Sequence, residues 1–154
     1  MSDKYLFPVE IEEKSFRLRN EYAWKRKDLQ SVFEYCLKSD IAILGGEAWV
    51  IKRISELSPD EPYERNLDPK FRQDLTILSR TQTHVLYGIF PFKDGQSGVF
   101  SWSTRSRRIF DSWRNYVKRT IDESQEIIGR GDIEGQVIPK YSANIFHNLT
   151  FKTH

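Results

Sequence analysis

The chain has 154 residues, of which 38% are apolar, 14% aromatic and 30% charged, and its 24 basic and 22 acidic side chains leave a formal charge of +2. That length suits one domain, residues 1–154, with a core of its own, and the charge balance singles out neither nucleic acid nor a strongly charged partner. No apolar run reaches the roughly 18 residues of a membrane span, the N-terminus lacks the basic-then-apolar plan of an export signal, and a lone cysteine, Cys36, excludes an internal disulfide, so a cytoplasmic protein is expected.

Taken in order, the stretch up to Glu13 holds Pro8 and several acids and is expected to form an exposed or edge-pairing arm. From Ser15 to Trp24, Phe16, Leu18, Tyr22 and Trp24 alternate with polar residues, which predicts one half-buried strand. Leu29, Val32, Phe33, Cys36 and Leu37 then keep the i, i+3, i+4, i+7, i+8 spacing of a helical face, predicting a helix over Asp28–Lys38 with Cys36 as a buried structural thiol. Ile41–Ile51, Ile-Ala-Ile-Leu-Gly-Gly-Glu-Ala-Trp-Val-Ile, is the most apolar stretch and predicts two core strands pivoting at Gly45-Gly46, where paired glycines supply either positive φ or close backbone approach. Glu47 follows the pivot and must face solvent or find a partner.

Residues 53–83 lose this periodicity, carry Pro59, Pro62 and Pro69, and are expected to form a surface insertion holding one short helix that begins at Asp68-Pro69. Val85–Phe92 predicts a strand with a bend near Gly88–Pro91, Asp94-Gly95 a hairpin turn, and Val99–Trp102 the returning strand. The strongest helical signal runs from Arg107 to Ile128. Ile109, Phe110, Trp113, Tyr116, Val117, Thr120, Ile121, Ser124, Ile127 and Ile128 fall within a sector of roughly 140°, with Ser103, Thr104 or Ser106 as caps and Gly129 at the C-terminal stop. Gly131–Lys140 is expected to be a loop or short strand. Tyr141–Phe151 predicts a strand with one buried face, on which His147 sits among apolar residues while Phe146 points the other way. The sum is an α+β fold: a mostly antiparallel sheet of five or six strands, with two main helices and one short helix packed mainly on one face.

Chemistry is harder to place. The turn Gly45-Gly46-Glu47 resembles the glycine-glycine-acid hairpin of diguanylate cyclases, but only 44 residues precede it and they contain no acid-rich strand for a metal, so a tight structural connection is the better reading. The histidines, His84, His147 and His154, have no metal-ligand or triad spacing, no phosphate-binding glycine loop is present, and no cofactor is implied. The basic segment 105–119 raises the alternative of a nucleic-acid-binding adaptor. On a helical wheel its cations split between two flanks and its aromatics point inward, whereas Arg107–Asp111, Lys118–Asp122 and Arg119–Glu123 have the spacing of solvated ion pairs.

Five stretches in this order, Tyr22-Ala-Trp24, Tyr35-Cys36-Leu37-Lys38, Ile43-Leu-Gly-Gly-Glu-Ala-Trp49, Phe100-Ser-Trp102 and Trp113-Arg-Asn-Tyr-Val117, resemble a family of small α+β immunity proteins from bacterial polymorphic-toxin systems. In that family an Ile-Leu-Gly-Gly-Asp/Glu-aromatic stretch follows the first helix and a Trp-x-x-Tyr/Phe-Val stretch opens a later one. The similarity covers residues 20–52 and 98–128, and the insertion at 53–83 and the ending after Arg130 depart from it. The resemblance implies a non-enzymatic cytoplasmic protein that binds and neutralises a cognate toxin domain. Glu47 and Trp49, beside the glycine pivot, and Trp102 and Arg105, at an aromatic strand end, are the expected partner contacts, core packing or a local ion pair being the competing role for each.

Overall fold

The computed structural model describes residues 6–18, 21–53, 84–87 and 90–154. The short helix predicted from Asp68, nearly all of the insertion at 53–83, and the predicted bend at Gly88 lie outside them.

The described residues form a six-stranded antiparallel sheet and a separate two-stranded ribbon. Strand β1 (Phe16–Leu18) pairs with β2 (Glu21–Trp24), β2 with the last strand of the chain, β8 (Ile145–Lys152), and β8 with the long central strand β3 (Ala42–Arg53). Along its other edge β3 is shared: β4 (His84–Tyr87) covers its C-terminal half and β7 (Ser101–Ser103) covers Gly45–Glu47. The ribbon joins β5 (Phe90–Pro91) to β6 (Ser97–Gly98). Helix α1 (Val9–Glu12) is one turn, α2 (Leu29–Lys38) follows a 3-10 turn at Arg26–Asp28, and α3 (Trp113–Gly129) is the longest. Two short helices, α4 (Asp132–Gln136) and α5 (Pro139–Ser142), lead into β8.

One face of the sheet carries the main core. Tyr22, Trp24, Ile43 and Leu149 meet Leu29, Val32, Phe33 and Cys36 of α2 and Tyr116, Val117, Ile121 and Ile128 of α3. Trp24 is fully buried, stacked on Tyr22 with the edge of Phe7 against it, and its indole N–H donates to the Ile11 carbonyl at 2.9 Å. Burial pushes the Cys36 thiol up to about 12, as befits an inert packing residue. The opposite face has a smaller cluster of Ala23, Trp49, Ile51 and Leu86, with Phe16 and Phe146 against it. This is the expected α+β sheet with its helices on one face.

Several local expectations need correction. The predicted strand over 15–24 is instead two antiparallel strands, β1 and β2: Phe16 pairs with Ala23 and therefore shares its face, opposite Tyr22 and Trp24. Ile41–Ile51 is not two strands bent at a pivot. It belongs to one 12-residue strand, irregular between Ile43 and Gly45, and neither Gly45 nor Gly46 has positive φ. Gly131–Lys140 is mostly helical, and the left-handed glycine after α3 is Gly131 at φ 69°, not Gly129. The Asp94-Gly95 turn forms, with Gly95 at φ 87° and the Gln96 N–H bonded to Asp94 Oδ1 at 2.9 Å. The chain returning from it pairs first with Phe90 and Pro91 through Ser97 and Gly98, then joins β3 through β7.

Helix α3 begins at Trp113, six residues later than predicted, with Ser112 as its cap: Ser112 Oγ accepts from the Asn115 N–H at 3.1 Å. Its inner face supports the irregular point of β3. The buried Thr120 hydroxyl accepts from the Ile43 N–H at 3.1 Å and donates to the Val117 carbonyl at 2.9 Å. Thr120→Val keeps the shape and removes the acceptor, leaving a buried N–H unsatisfied. A loss of about 1–3 kcal/mol in urea unfolding, with faster amide exchange at Ile43 and recovery in Thr120→Ser, is expected. A Thr120→Val protein as stable as the parent would show that the N–H is otherwise satisfied.

Candidate partner-binding surface

The centre of β3 is shaped by its glycines. A Cβ on Gly45 would lie 2.4 Å from the Trp102 carbonyl oxygen, and one on Gly46 would lie 2.5 Å from the Asn148 carbonyl oxygen. Backbone atoms cannot step aside, so only glycine lets β7 and β8 close on β3 from both sides here. The close approach leaves an open notch of about 290 Å³ with glycines in its floor and Glu21, Glu47, Ser101, Trp102, Asn148 and Thr150 around it. Asn148 is buried and oriented by a 2.9 Å bond from its Nδ2 to the Tyr22 carbonyl. Glu47 is exposed, and its Oε2 accepts from the indole N–H of buried Trp49 at 3.2 Å.

The four predicted contact residues thus separate. Glu47 and Trp102 share the notch, Trp102 being half-buried with its other side on the main core. Trp49 is 6% exposed and acts on the notch only by holding Glu47. Arg105 turns to α3, where its side chain pairs with Glu123 and its N–H donates to the same carboxylate at 3.0 Å.

Beyond β7 the chain runs as a non-helical loop, Thr104–Ser112. Thr104 Oγ1 donates to the Ile43 carbonyl at 2.7 Å, and Arg119 reaches out from α3 to the carbonyls of Arg105 (3.1 Å) and Ser106 (2.9 Å) and to Asp111 Oδ2 (2.9 Å). Asp111 Oδ2 also accepts the Arg108 N–H at 3.0 Å, and the Arg107 guanidinium bonds the Asp111 carbonyl. The Arg108 N–H and the Arg119 guanidinium hold the Asp111 carboxyl below its ordinary range. For Glu123 burial pushes upward, but hydrogen bonds from Arg105 outweigh it and the net shift is downward. These bonds explain why the helix starts late: residues 105–111 spend their polar groups on the loop and on Arg119. Ile109 and Phe110, predicted to lie on the buried face of a helix, are 94% and 99% exposed at the loop tip. Their apolar spacing mimics a helix face, and only the loop's tertiary bonds tell the two apart.

A second polar feature lies on the helical face of the sheet. His147 Nε2 meets Glu134 Oε1 of α4 at 2.6 Å, with the imidazole 1% exposed. Glu134 Oε2 and His147 Nδ1 are buried without a hydrogen-bond partner. His147 therefore bonds to a helix rather than within the sheet, and nothing in the sequence links it to an acid 13 residues away. Among the described residues no group of three or more His, Cys, Asp or Glu side chains is placed to hold a metal, and no helix is long and apolar enough to cross a membrane.

No family model, curated protein or solved structure matches the chain.

Proposed function

We propose that this chain is a non-enzymatic immunity protein that binds and neutralises a cognate bacterial toxin domain in the cytoplasm. The observation that carries the reading is the notch at Gly45–Glu47. At about 290 Å³ it lies at the lower end of small-molecule pockets and is open to solvent, a size that suits a single side chain of a partner protein. Glu47 is held in place there by Trp49, so a carboxylate is presented without the entropy cost of fixing it on binding. A basic side chain of the toxin is its natural occupant. Part of the notch lining, Leu44–Glu47 with Ser101 and Trp102, comes from the Ile43–Trp49 and Phe100–Trp102 stretches that carry the resemblance to immunity proteins.

Less supports the nucleic-acid adaptor. Arg105, Arg114 and Arg119 of the basic segment are each paired with a carboxylate, Glu123, Asp40 and Asp111 respectively, which leaves few cations to neutralise phosphates.

The test begins with the gene immediately upstream, which should encode a secreted protein with a toxin-like C-terminal domain; its absence would overturn the proposal, and where it is present that domain is coexpressed with this chain. The chain should restore growth and co-purify with that domain, and Glu47→Lys should weaken the complex about tenfold or more, since a like charge would face the basic group. Growth arrest persisting with the unaltered chain would refute the proposal.

A further inference from the structure

We propose that the Thr104–Ser112 loop is the principal anchor of the complex, inserting Phe110 and Ile109 into an apolar pocket of the toxin domain whose rim is acidic. The inference rests on the immunity reading but uses a surface separate from the Glu47 notch.

Two adjacent large apolar side chains, 94% and 99% exposed, are an unusual thing for a fold to hold out, because the same chain buries Phe7, Phe33 and Tyr116 to within a few per cent. They are not held out by slack. Arg119 ties the carbonyls of Arg105 and Ser106, Asp111 ties the Arg108 N–H, and Arg107 ties the Asp111 carbonyl. A tip fixed before binding loses little conformational entropy on docking, the property expected of an anchor that enters a shaped pocket. Aromatic side chains are enriched at the cores of protein interfaces, and the residues that dominate the binding energy sit in well-packed, desolvated pockets.

Charge specifies the rim. Arg105 and Arg119 are neutralised by Glu123 and Asp111. Arg107 donates only to a carbonyl and lies over the Trp113 ring with its Cζ 5.5 Å from the centroid, so its charge is not cancelled by a carboxylate. The Arg108 side chain forms no salt bridge among the described residues, although its charge acts on the nearby Asp111 carboxylate and its backbone N–H is bonded to it. Two guanidinium groups without a salt-bridge partner among the described residues therefore precede the apolar pair, and carboxylates around the receiving pocket would complement them and steer the encounter. Two cations and two apolar side chains fall short of the polybasic cluster or second anchor that stable attachment to an anionic bilayer requires.

The experiment measures the affinity of the chain for the purified toxin-like domain at two salt concentrations, for the parent, Phe110→Ser, Ile109→Ser and Arg108→Glu. All three side chains are outside the core, so thermal melting should be unchanged and serves as the folding control. Phe110→Ser should weaken binding about 30-fold or more. Arg108→Glu should act mainly by slowing association and flattening the salt dependence. Full affinity in all three variants, with the parent still binding, overturns the anchor and leaves the immunity reading intact. No binding by the parent overturns both. Binding to phosphatidylcholine–phosphatidylglycerol vesicles or to a DNA duplex that depends on Phe110, without binding to the toxin domain, would reassign the loop and overturn the inference as well.

Discussion

Gly45→Ala and Gly46→Ala are each expected to destabilise the fold by about 3 kcal/mol, at the upper end of what overpacking costs. The reason is where the added carbon would go. At Gly45 it meets the Trp102 carbonyl oxygen at 2.4 Å and Ser103 Cα at 3.0 Å, and at Gly46 it meets the Asn148 carbonyl oxygen at 2.5 Å. These are backbone atoms of β7 and β8, each tied to β3 by ladder hydrogen bonds, so relief requires one strand to move off the other. Two internal controls separate this from a general glycine effect. A Cβ on Gly129 or Gly135 meets nothing within 4 Å, and alanine at either helical position should be neutral or stabilising by up to about 1 kcal/mol. For a chain of this size the β3 variants should melt roughly 6–12 °C lower. If they melt with the controls, β7 is not seated on β3 as described. The Gly45 variant also connects stability to binding, since displacing β7 moves Trp102 and Ser101 and opens the notch that presents Glu47.

How much of this was legible in the sequence follows from which forces are local. Helix α2 could be read almost to the residue because Leu29, Val32, Phe33 and Cys36 keep helical spacing and are buried in the fold. In β8, Ile145, His147 and Leu149 are buried on alternate positions and Phe146 faces the other cluster, as the pattern predicts, but the strand starts at Ile145 rather than Tyr141, which lies in α5, and Asn148 on the expected polar face is buried too. The glycine pair was legible as a demand for space, though not as a straight strand gripped on both sides, because that demand comes from β7 and β8, far away in the chain. Two errors have one cause. Phe16, Leu18, Tyr22 and Trp24 have the parity of one strand, and a reversal between β1 and β2 sends Phe16 and Trp24 to opposite faces without altering the pattern. Ile109, Phe110 and Trp113 likewise have the spacing of one helix, yet Arg119, Asp111 and Thr104 hold the first two in a loop through bonds that cross the fold. Periodicity cannot register a contact that overrides it.

The same limit applies to the candidate site. Glu47 could be picked out as an acid beside a glycine pair, but its fixation by Trp49 requires both side chains to lie on one face of a strand, which a bend at the pivot would have prevented. Phe110 could not be picked out at all, since a residue that fits a buried stripe gives no sign of being left outside it. The two surfaces are complementary in what they offer: a carboxylate at the notch and an apolar tip beside the Arg107 and Arg108 guanidinium groups. A partner that used both would need opposite charges at two places, a demand that favours one cognate protein over many.

Acidification is expected to remove the contribution of the Glu134–His147 pair, and this gives the second large effect. A carboxylate can only accept, so the 2.6 Å contact requires the proton to sit on His147 Nε2. Burial pushes the Glu134 carboxyl upward, but the hydrogen bond from His147 and the electrostatic pull of the neighbouring side chains, Arg26 among them, outweigh it, so its folded pKa lies below the ordinary 4.5. The sign follows. The contribution to stability is complete above about pH 4.5 and is lost as the pH falls through the folded value. Glu134→Ala removes the acceptor that the described residues give to an imidazole N–H that is 1% exposed, which should cost about 2–3 kcal/mol at pH 7. Because the penalty is that of an orphaned donor, Glu134→Leu combined with His147→Leu should recover most of it, and the parent and Glu134→Ala curves should converge on acidification. Urea unfolding at pH 7 and at successively lower pH values tests both points. A difference between parent and variant that stays constant down to the acid limit, or a double variant as unstable as the sum of its singles, would mean that the pair is held by packing rather than by its shared proton.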